Sequence, residues 1–217
     1  MKKFFLVVAI AFTAINANAQ DLKFGAKGGL NINSINLVGE SYDGEDSGAK
    51  FDLGFHFGVV ADYALSEKLS LRPGLGFARK GAKRKESGVE TITDLNYIQT
   101  DFNVAYKFGS FEATAGPYAA FLTGGKEKVG DEEYSIKPSF SQVSAEDLGG
   151  DIGVNGLDLG LNIGAGYHIA DNMLISYQLS FGLSNLQGKE DDVSSDVRKD
   201  FKTTNTTSNF SFTYFFN

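Results

Sequence analysis

The sequence predicts an all-β fold: an eight-stranded antiparallel up-and-down transmembrane β-barrel with short periplasmic turns and long extracellular loops. Three observations predict it: an export signal at the N-terminus, eight stretches in which apolar and polar residues alternate, and connections that are alternately short and long. Successive side chains of a strand point to opposite faces, so each stretch has one apolar and one polar face. No stretch of comparable length shows a helical period.

The N-terminus has the features of a secretory signal peptide. Lys2 and Lys3 precede an apolar run over residues 4–15, and Ala17 and Ala19 form an A-x-A end. A basic start, a short apolar core and small residues at the cleavage site are typical of such signals. A membrane-spanning helix would need ~20 apolar residues. We therefore predict a signal peptide over residues 1–19 and an outer-membrane β-barrel domain over residues 20–217.

Composition excludes several classes of protein. When Lys2 and Lys3 leave with the signal, the basic residues fall from 20 to 18 against 27 acidic residues, so the net charge of −7 becomes −9. This acidic balance argues against nucleic acid as a partner. The chain has no cysteine, which excludes a lipid-anchored lipoprotein, disulfide staples and thiolate metal ligands. We predict no cofactor.

The eight alternating stretches are the predicted strands. In the second, Phe51, Phe55 and Phe57 lie on one face while Asp52 and His56 lie on the other. The remaining stretches alternate in the same way. In chain order the predicted strands cover residues 22–32, 51–63, 69–77, 96–108, 111–121, 157–169, 174–183 and 209–217.

The connections and the tyrosines indicate which face meets lipid. Short links cover residues 64–68, 109–110 and 170–172, whereas long links cover residues 33–49, about 81–90, about 124–155 and 184–200. Short periplasmic turns and long external loops are typical of transmembrane barrels. Tyrosines end the apolar faces near the short-turn side, as an interfacial aromatic girdle would: Tyr63, Tyr106, Tyr167 and Tyr214. We expect the apolar face to point into lipid and the polar face to line the lumen.

Three segments also resemble a known family. "DLGLNIGAGYHIADNMLISYQLSFGLSNL" (158–186) is similar to the sixth and seventh strands of the PorT-like outer-membrane β-barrel family of Bacteroidetes-type bacteria, and "AGPYAAFL" (115–122) is similar to another of its motifs. "LNYIQTDFNVAYKFG" (95–109) departs from the family, with Gln99, Asp101 and Asn103 where Glu, Pro and an aliphatic residue are usual. The resemblance implies the barrel scaffold, not an activity. Some members serve the assembly of a protein-secretion and gliding apparatus, a role that the departing segment does not support.

The polar face carries charges of both signs in near balance. The interior of an eight-stranded barrel is just wide enough for side chains to fill it, and buried charges are costly unless they are paired. We therefore predict an interior charge network that packs the lumen, in preference to a proton or ion path. Its predicted members are Lys23, Lys27, Asp52, His56, Asp62, Arg72, Asp101, Lys107, Glu112 and Asp158.

A dense basic segment, "RKGAKRKE" (79–86), lies in a predicted external connection. Lys and Arg bind phosphate oxygens strongly, and lipopolysaccharide presents phosphates at the outer leaflet. The candidate lipopolysaccharide contacts are Arg79, Lys80, Lys83, Arg84 and Lys85. The alternative is a solvated polar loop.

The sequence predicts a non-enzymatic structural, adhesive or envelope-interaction role in the outer membrane of a Gram-negative bacterium. The expected partners are outer-membrane lipid or lipopolysaccharide, or another envelope or secretion-system protein. We expect no serine beside His56 or His168, hence no catalytic pair, and two separated histidines make a weak metal site. The alternatives are an exported soluble lipocalin-like barrel that binds an apolar ligand, and an outer-membrane lipid-modifying enzyme.

Overall fold

The computed structural model describes residues 22–38, 49–86, 88–139, 152–186 and 202–216. The predicted signal peptide lies outside these residues. The described part of the chain forms eleven strands: β1 (Leu22–Val38), β2 (Ala49–Lys50), β3 (Asp52–Ala64), β4 (Leu69–Glu86), β5 (Val89–Phe108), β6 (Phe111–Val129), β7 (Glu132–Ser139), β8 (Ile152–Asn155), β9 (Leu157–Ala170), β10 (Met173–Gly182) and β11 (Lys202–Phe216). No helix among these residues is long and apolar enough to cross a membrane.

Eight of the strands close into a ring. Each pairs antiparallel with the next in the order β1, β3, β4, β5, β6, β9, β10 and β11, and β11 pairs with β1 from Phe24↔Phe216 to Val38↔Lys202. Closure gives every ring strand a partner on both sides, which a membrane requires because lipid cannot hydrogen-bond the backbone. The predicted eight-stranded antiparallel barrel is confirmed.

The outer wall of the ring is apolar. Leu53 is 68% exposed and Phe57 is 57% exposed, and large apolar side chains stand equally open on the other ring strands. Phe111 contacts both Phe108 and Tyr167 at the short-turn end. A soluble barrel would bury such side chains, so the arrangement is the opposite of the one that the lipocalin-like alternative needs. The prediction that the apolar face points outward is confirmed.

The connection predicted at about 81–90 is wrong. β4 continues to Glu86, β5 begins at Val89, and the two strands pair without interruption up to Glu86↔Val89. Gly88 has a φ of 88° in the turn between them, a conformation that glycine adopts without steric cost. The basic segment 79–86 is therefore part of a strand, so its side chains alternate between the inside and the outside of the barrel.

The long link predicted at about 124–155 is partly strand as well. β6 runs on to Val129, and β7 folds back on it through a turn in which Gly130 has a φ of 61°. β8 then pairs in parallel with β7, from Ile136↔Ile152 to Ser139↔Asn155. The barrel wall thus extends well beyond the apolar band on the external side.

A β-bulge marks the level at which the wall changes character. Asn96 pairs with Gly124 while Tyr97 pairs with Leu122, so Thr123 is an extra residue on β6. An inserted residue moves all later side chains to the opposite face. An apolar cluster of Leu95, Tyr97, Tyr118, Ala120, Leu122 and Ile136 fills the interior at the level of the bulge.

Candidate functional site

An ion-pair cluster fills the periplasmic end of the lumen. Arg72 donates from Nε to Asp62 Oδ1 at 3.0 Å, and its two terminal nitrogens bind both carboxylate oxygens of Glu112, with Nη2 3.0 Å from Oε2. Lys107 Nζ lies 3.2 Å from Asp62 Oδ2, and the Ser70 hydroxyl donates to Asp62 Oδ1 at 2.7 Å. Bidentate guanidinium–carboxylate pairs combine strength with fixed geometry. The structure thus brings four of the predicted lumen residues into one cluster.

His168 and Lys23 lie at the margins of this cluster. His168 Nε2 is 2.8 Å from Glu112 Oε2. The position of His168 near a turn in the sequence does not predict this contact. The side chain of Lys23 is exposed. It lines a cavity of about 190 Å³ at the periplasmic mouth, together with Asp62 and Lys107. Lys23 therefore borders the network instead of packing within it.

A hydrogen-bonded chain centred on His56 lies on the lumen face of three adjacent strands, β3, β1 and β11. His56 Nδ1 lies 2.5 Å from Asn31 Oδ1, and Nε2 lies 2.8 Å from Ser211 Oγ. The expectation that no serine would lie beside either histidine is wrong for His56. Ser211 comes from the last strand, and ring closure brings it next to a residue 155 positions earlier. A Cβ on Gly29 would overlap the Phe210 carbonyl oxygen and stand 2.8 Å from the imidazole Cε1, so glycine makes room for both the neighbouring strand and the ring.

Lys27 and Asp101 line a small polar cavity beside His56. Its volume is about 40 Å³, enough for only a few water molecules. Asp101 accepts hydrogen bonds from Gln99 Nε2 at 2.8 Å and from Asn162 Nδ2 at 2.9 Å. This central layer therefore joins charged groups through amides and a small wet space, without the direct ion pairs of the periplasmic end.

Lys80 and Asp158 close the lumen at the level of the bulge. Lys80 Nζ lies 3.0 Å from Asp158 Oδ2, and the two side chains are 2% and 0% exposed. Asn205 donates to the same carboxylate at 3.0 Å, and the Tyr118 hydroxyl donates to it at 3.2 Å. The Lys80 ammonium also stands 4.4 Å from the ring centre of Tyr118 and 5.2 Å from that of Tyr97, a favourable cation–π geometry.

The placement of Lys80 corrects the sequence analysis. This lysine was assigned to an external tip that contacts lipopolysaccharide, yet its side chain is buried inside the barrel. The physical reason is strand alternation, because β4 continues and Lys80 shares the inner face of Arg72 and Ala78. Asp52, assigned to the lumen network, is buried but pairs with Lys83 at 3.4 Å on the external side.

The outer wall just beyond the bulge carries a charged groove. We call it the wall groove and define it by Asp52, Leu53, Arg79, Lys83, Ile92, Asp94, Lys126, Lys128 and Glu133, which enclose about 350 Å³. Arg79 Nε lies 3.1 Å from Asp94 Oδ1, and Lys126 Nζ lies 2.7 Å from Glu133 Oε1. Arg84 is half-buried and Lys85 is exposed, and neither lines the groove.

Lys126 and Lys128 were not among the predicted site residues. Their alternation in "KEK" is visible in the sequence, but the face they occupy depends on the bulge at Thr123. Among the described residues, no three His, Asp or Glu side chains are grouped so that they could hold a metal ion. The candidate sites are therefore the packed lumen and the wall groove.

Comparison with known proteins agrees with this architecture. Residues 18–188 match the family model described as outer membrane protein beta-barrel domain. The match covers most of the chain, and the chain belongs to this family. No curated protein matches the sequence. The narrower PorT-like resemblance stays a prediction.

Two solved structures illustrate the similarity. The crystal structure of Neisserial surface protein A is similar at 11% identity, with a TM-score of 0.52, 88% of this chain covered and 96% of that chain covered. Ail, the attachment invasion locus protein of Yersinia pestis, is similar at 14% identity, with a TM-score of 0.45, 91% of this chain covered and 100% of that chain covered. At these identities the likeness to Neisserial surface protein A shows the fold alone. The family match identifies this chain as an outer-membrane β-barrel protein.

Proposed function

We propose that this outer-membrane protein is a closed, non-enzymatic envelope barrel that acts through its external surface in a structural or adhesive role. The observation that carries the proposal is the filling of the lumen at two levels. The Arg72–Glu112 pair lies across the periplasmic end, and the Lys80–Asp158 pair lies across the external end. A solute would have to separate buried ion pairs to pass.

The space between these pairs is small. The cavity beside His56 holds about 40 Å³, and a second cavity beside Arg72 and Glu112 holds about 30 Å³. Beyond the Lys80–Asp158 pair, the apolar cluster that includes Leu95 and Ile136 lies across the axis. These features support a filled barrel, in keeping with the narrow interior expected for eight strands.

The external extension is the surface available for envelope contacts. β4 continues from Ala78 to Glu86 beyond the last large apolar residue of its outer face, Phe77. An extended strand rises about 3.3 Å per residue, so the wall stands roughly 20 Å above the apolar band once tilt is allowed for. β7 adds to this wall, and the charges of the wall groove lie at its base.

The contact between His56 and Ser211 raises the question of catalysis. Asn31, His56 and Ser211 form a chain of the kind that activates serine nucleophiles. Ser211 and Asn31 are 5% and 0% exposed, however, and the adjoining cavity cannot admit an acyl chain. We therefore assign the chain of hydrogen bonds to satisfying polar groups inside the barrel.

Conductance across planar bilayers tests the closed barrel. The folded protein, inserted from detergent, is expected to give no discrete current steps, while a trimeric porin in the same setup gives large ones. Arg72→Ser with Glu112→Ser removes the periplasmic pair and should raise the frequency of small openings. A reproducible conductance from the unmodified protein would overturn the proposal.

Labelling with a fluorophosphonate tests the absence of serine catalysis. The folded protein in lipid vesicles is expected to remain unlabelled at Ser211, and Ser211→Ala should leave the labelling pattern unchanged. Stoichiometric labelling that disappears in Ser211→Ala would show an accessible, activated serine and would contradict the non-enzymatic role.

A further inference from the structure

The wall groove lies at the level where lipid headgroups meet the barrel. On β4, Arg79 follows Phe77 by two positions on the same outer face, and Phe77 is level with Ile98 on β5. Leu53, which lines the groove, is 68% exposed and continues the apolar wall. The extracellular end of the apolar wall lies in the outer leaflet of the membrane. The groove therefore opens towards the headgroups of that leaflet.

Four cations converge on the groove from two strands that flank β5. Arg79 and Lys83 come from β4, and Lys126 and Lys128 come from β6. Asp94, Asp52 and Glu133 hold the first three in place. Lys128 lies opposite Glu133 in the β6–β7 register, attracts the same carboxylate and remains exposed.

The bulge at Thr123 directs the side chains of Lys126 and Lys128 to the outside of the barrel. Gly125 pairs with Ile136, whose side chain is buried in the interior cluster, so the next residue, Lys126, faces outward. Without the extra residue, Lys126 and Lys128 would point into the barrel interior, and Glu127, which accepts a hydrogen bond from Thr93 at 2.9 Å, would point outward. Bulges commonly re-aim side chains at functional places.

We infer that the wall groove binds the phosphate groups of an outer-leaflet glycolipid. A lipid-borne phosphate reaches this level of the wall while its acyl chains cover the apolar residues below, including Leu53. Phosphate oxygens accept charge-assisted hydrogen bonds from guanidinium and ammonium groups. The inference deepens the proposed function, because it names the class of molecule that the outer wall contacts.

A binding assay with bisphosphorylated lipid A tests the inference. Ser110→Cys in a periplasmic turn gives this cysteine-free chain one site for a fluorophore, far from the groove. The folded barrel in dodecyl maltoside micelles is titrated with bisphosphorylated lipid A, with dephosphorylated lipid A and with inorganic phosphate. Heat-dependent mobility on gels verifies folding of each variant.

Lys126→Gln with Lys128→Gln is the test variant, because both side chains are exposed and neither neutralises a buried carboxylate. Lys23→Gln with Lys68→Gln is the matched control, since it removes the same charge from exposed positions at the periplasmic end. The test variant should bind bisphosphorylated lipid A about tenfold more weakly or worse. The control should bind like the unmodified barrel, and dephosphorylated lipid A should bind every variant weakly.

A second variant should strengthen lipid binding instead of weakening it. Glu133→Gln removes a carboxylate that competes with phosphate for Lys126, so it should raise the affinity for bisphosphorylated lipid A severalfold. If the double variant does not fold, Lys128→Gln alone should still weaken binding by severalfold. Unchanged affinity in folded groove variants, or equally tight binding of inorganic phosphate, would overturn the inference. Both results leave the conductance test of the closed lumen unaffected, so the two proposals can fail separately.

Discussion

The membrane-level part of the barrel and its external extension are built from the same strands, but the apolar and polar faces are exchanged between the two parts. Below the bulge, Phe102 and Val104 of β5 face outward while Asp101 and Asn103 face the lumen. Above it, Leu95 lies in an apolar interior and Asp94 faces outward with Arg79. The strand continues without a break between these two levels.

The difference follows from what surrounds each part. Lipid cannot hydrogen-bond polar groups, so at the membrane level these groups turn inward and must find partners there. Water surrounds the extension, so charges turn outward and apolar side chains fill the interior as in a soluble protein. Strands β4 and β5 change polarity through their residue types, whereas β6 changes it through the extra residue Thr123.

Breaking the inner ion pair should have the largest effect. Arg72→Leu leaves Glu112 without its bidentate partner inside the lumen, and removal of one partner from a buried pair costs about 3–5 kcal/mol. Urea unfolding in lipid vesicles measures the loss. Arg72→Leu with Glu112→Leu should be less destabilised than the single variant, and equal or greater destabilisation of the double variant would show that the pairing does not dominate.

A lysine in place of an exposed apolar side chain should distinguish the lipid-facing part of the barrel from the part surrounded by water. Phe55 and Val89 are 43% and 48% exposed, so exposure alone predicts similar effects. Phe55→Lys places a charge in lipid and should cost about 2–4 kcal/mol, whereas Val89→Lys meets water and should change stability by less than about 0.5 kcal/mol. Refolding yields and unfolding curves in vesicles provide the comparison. Similar costs at both positions would remove the distinction between lipid and water.

The apolar interior of the extension should behave as an ordinary protein core. Leu95→Ala removes a side chain that is 1% exposed and should cost about 2–3 kcal/mol, because the cavity is only partly refilled. The matched variant Leu75→Ala lies on the lipid face, where mobile acyl chains fill the vacated volume, so it should cost less. If both variants lose the same stability, the cluster around Leu95 is not a packed core.

The smallest effect should come from the exposed pair at the base of the wall groove. Hydrogen bonding to the Lys126 ammonium, which also attracts the carboxylate electrostatically, lowers the pKa of Glu133 below its ordinary value. A lowered pKa means that the pair contributes stability above the ordinary pKa and loses it as the pH falls through the lowered one. Carboxyl chemical shifts followed by NMR should show the lowered pKa, and Lys126→Gln should move it back upward.

Much of the architecture is predictable because the period of two in a strand is a local property. The alternation around Phe55 and Phe57 is visible over a few residues, and it indicates both the strand and its lipid-facing side. Strand ends are harder to predict, because segment 79–86 has the composition of a loop although it lies in β4. Its pairing with the β-branched residues of 89–93 provides the strand partner that composition did not indicate.

The sequence by itself determined the alternating faces, the eight ring strands and the presence of balanced charges on the inner face. Tertiary structure alone decided which charges meet. Lys80 reaches Asp158 across 78 positions, and His56 reaches Ser211 across 155, because the closed ring makes neighbours of strands that are distant along the chain. It also decided the face of Lys126, since one unpaired residue in β6 reverses every side chain that follows.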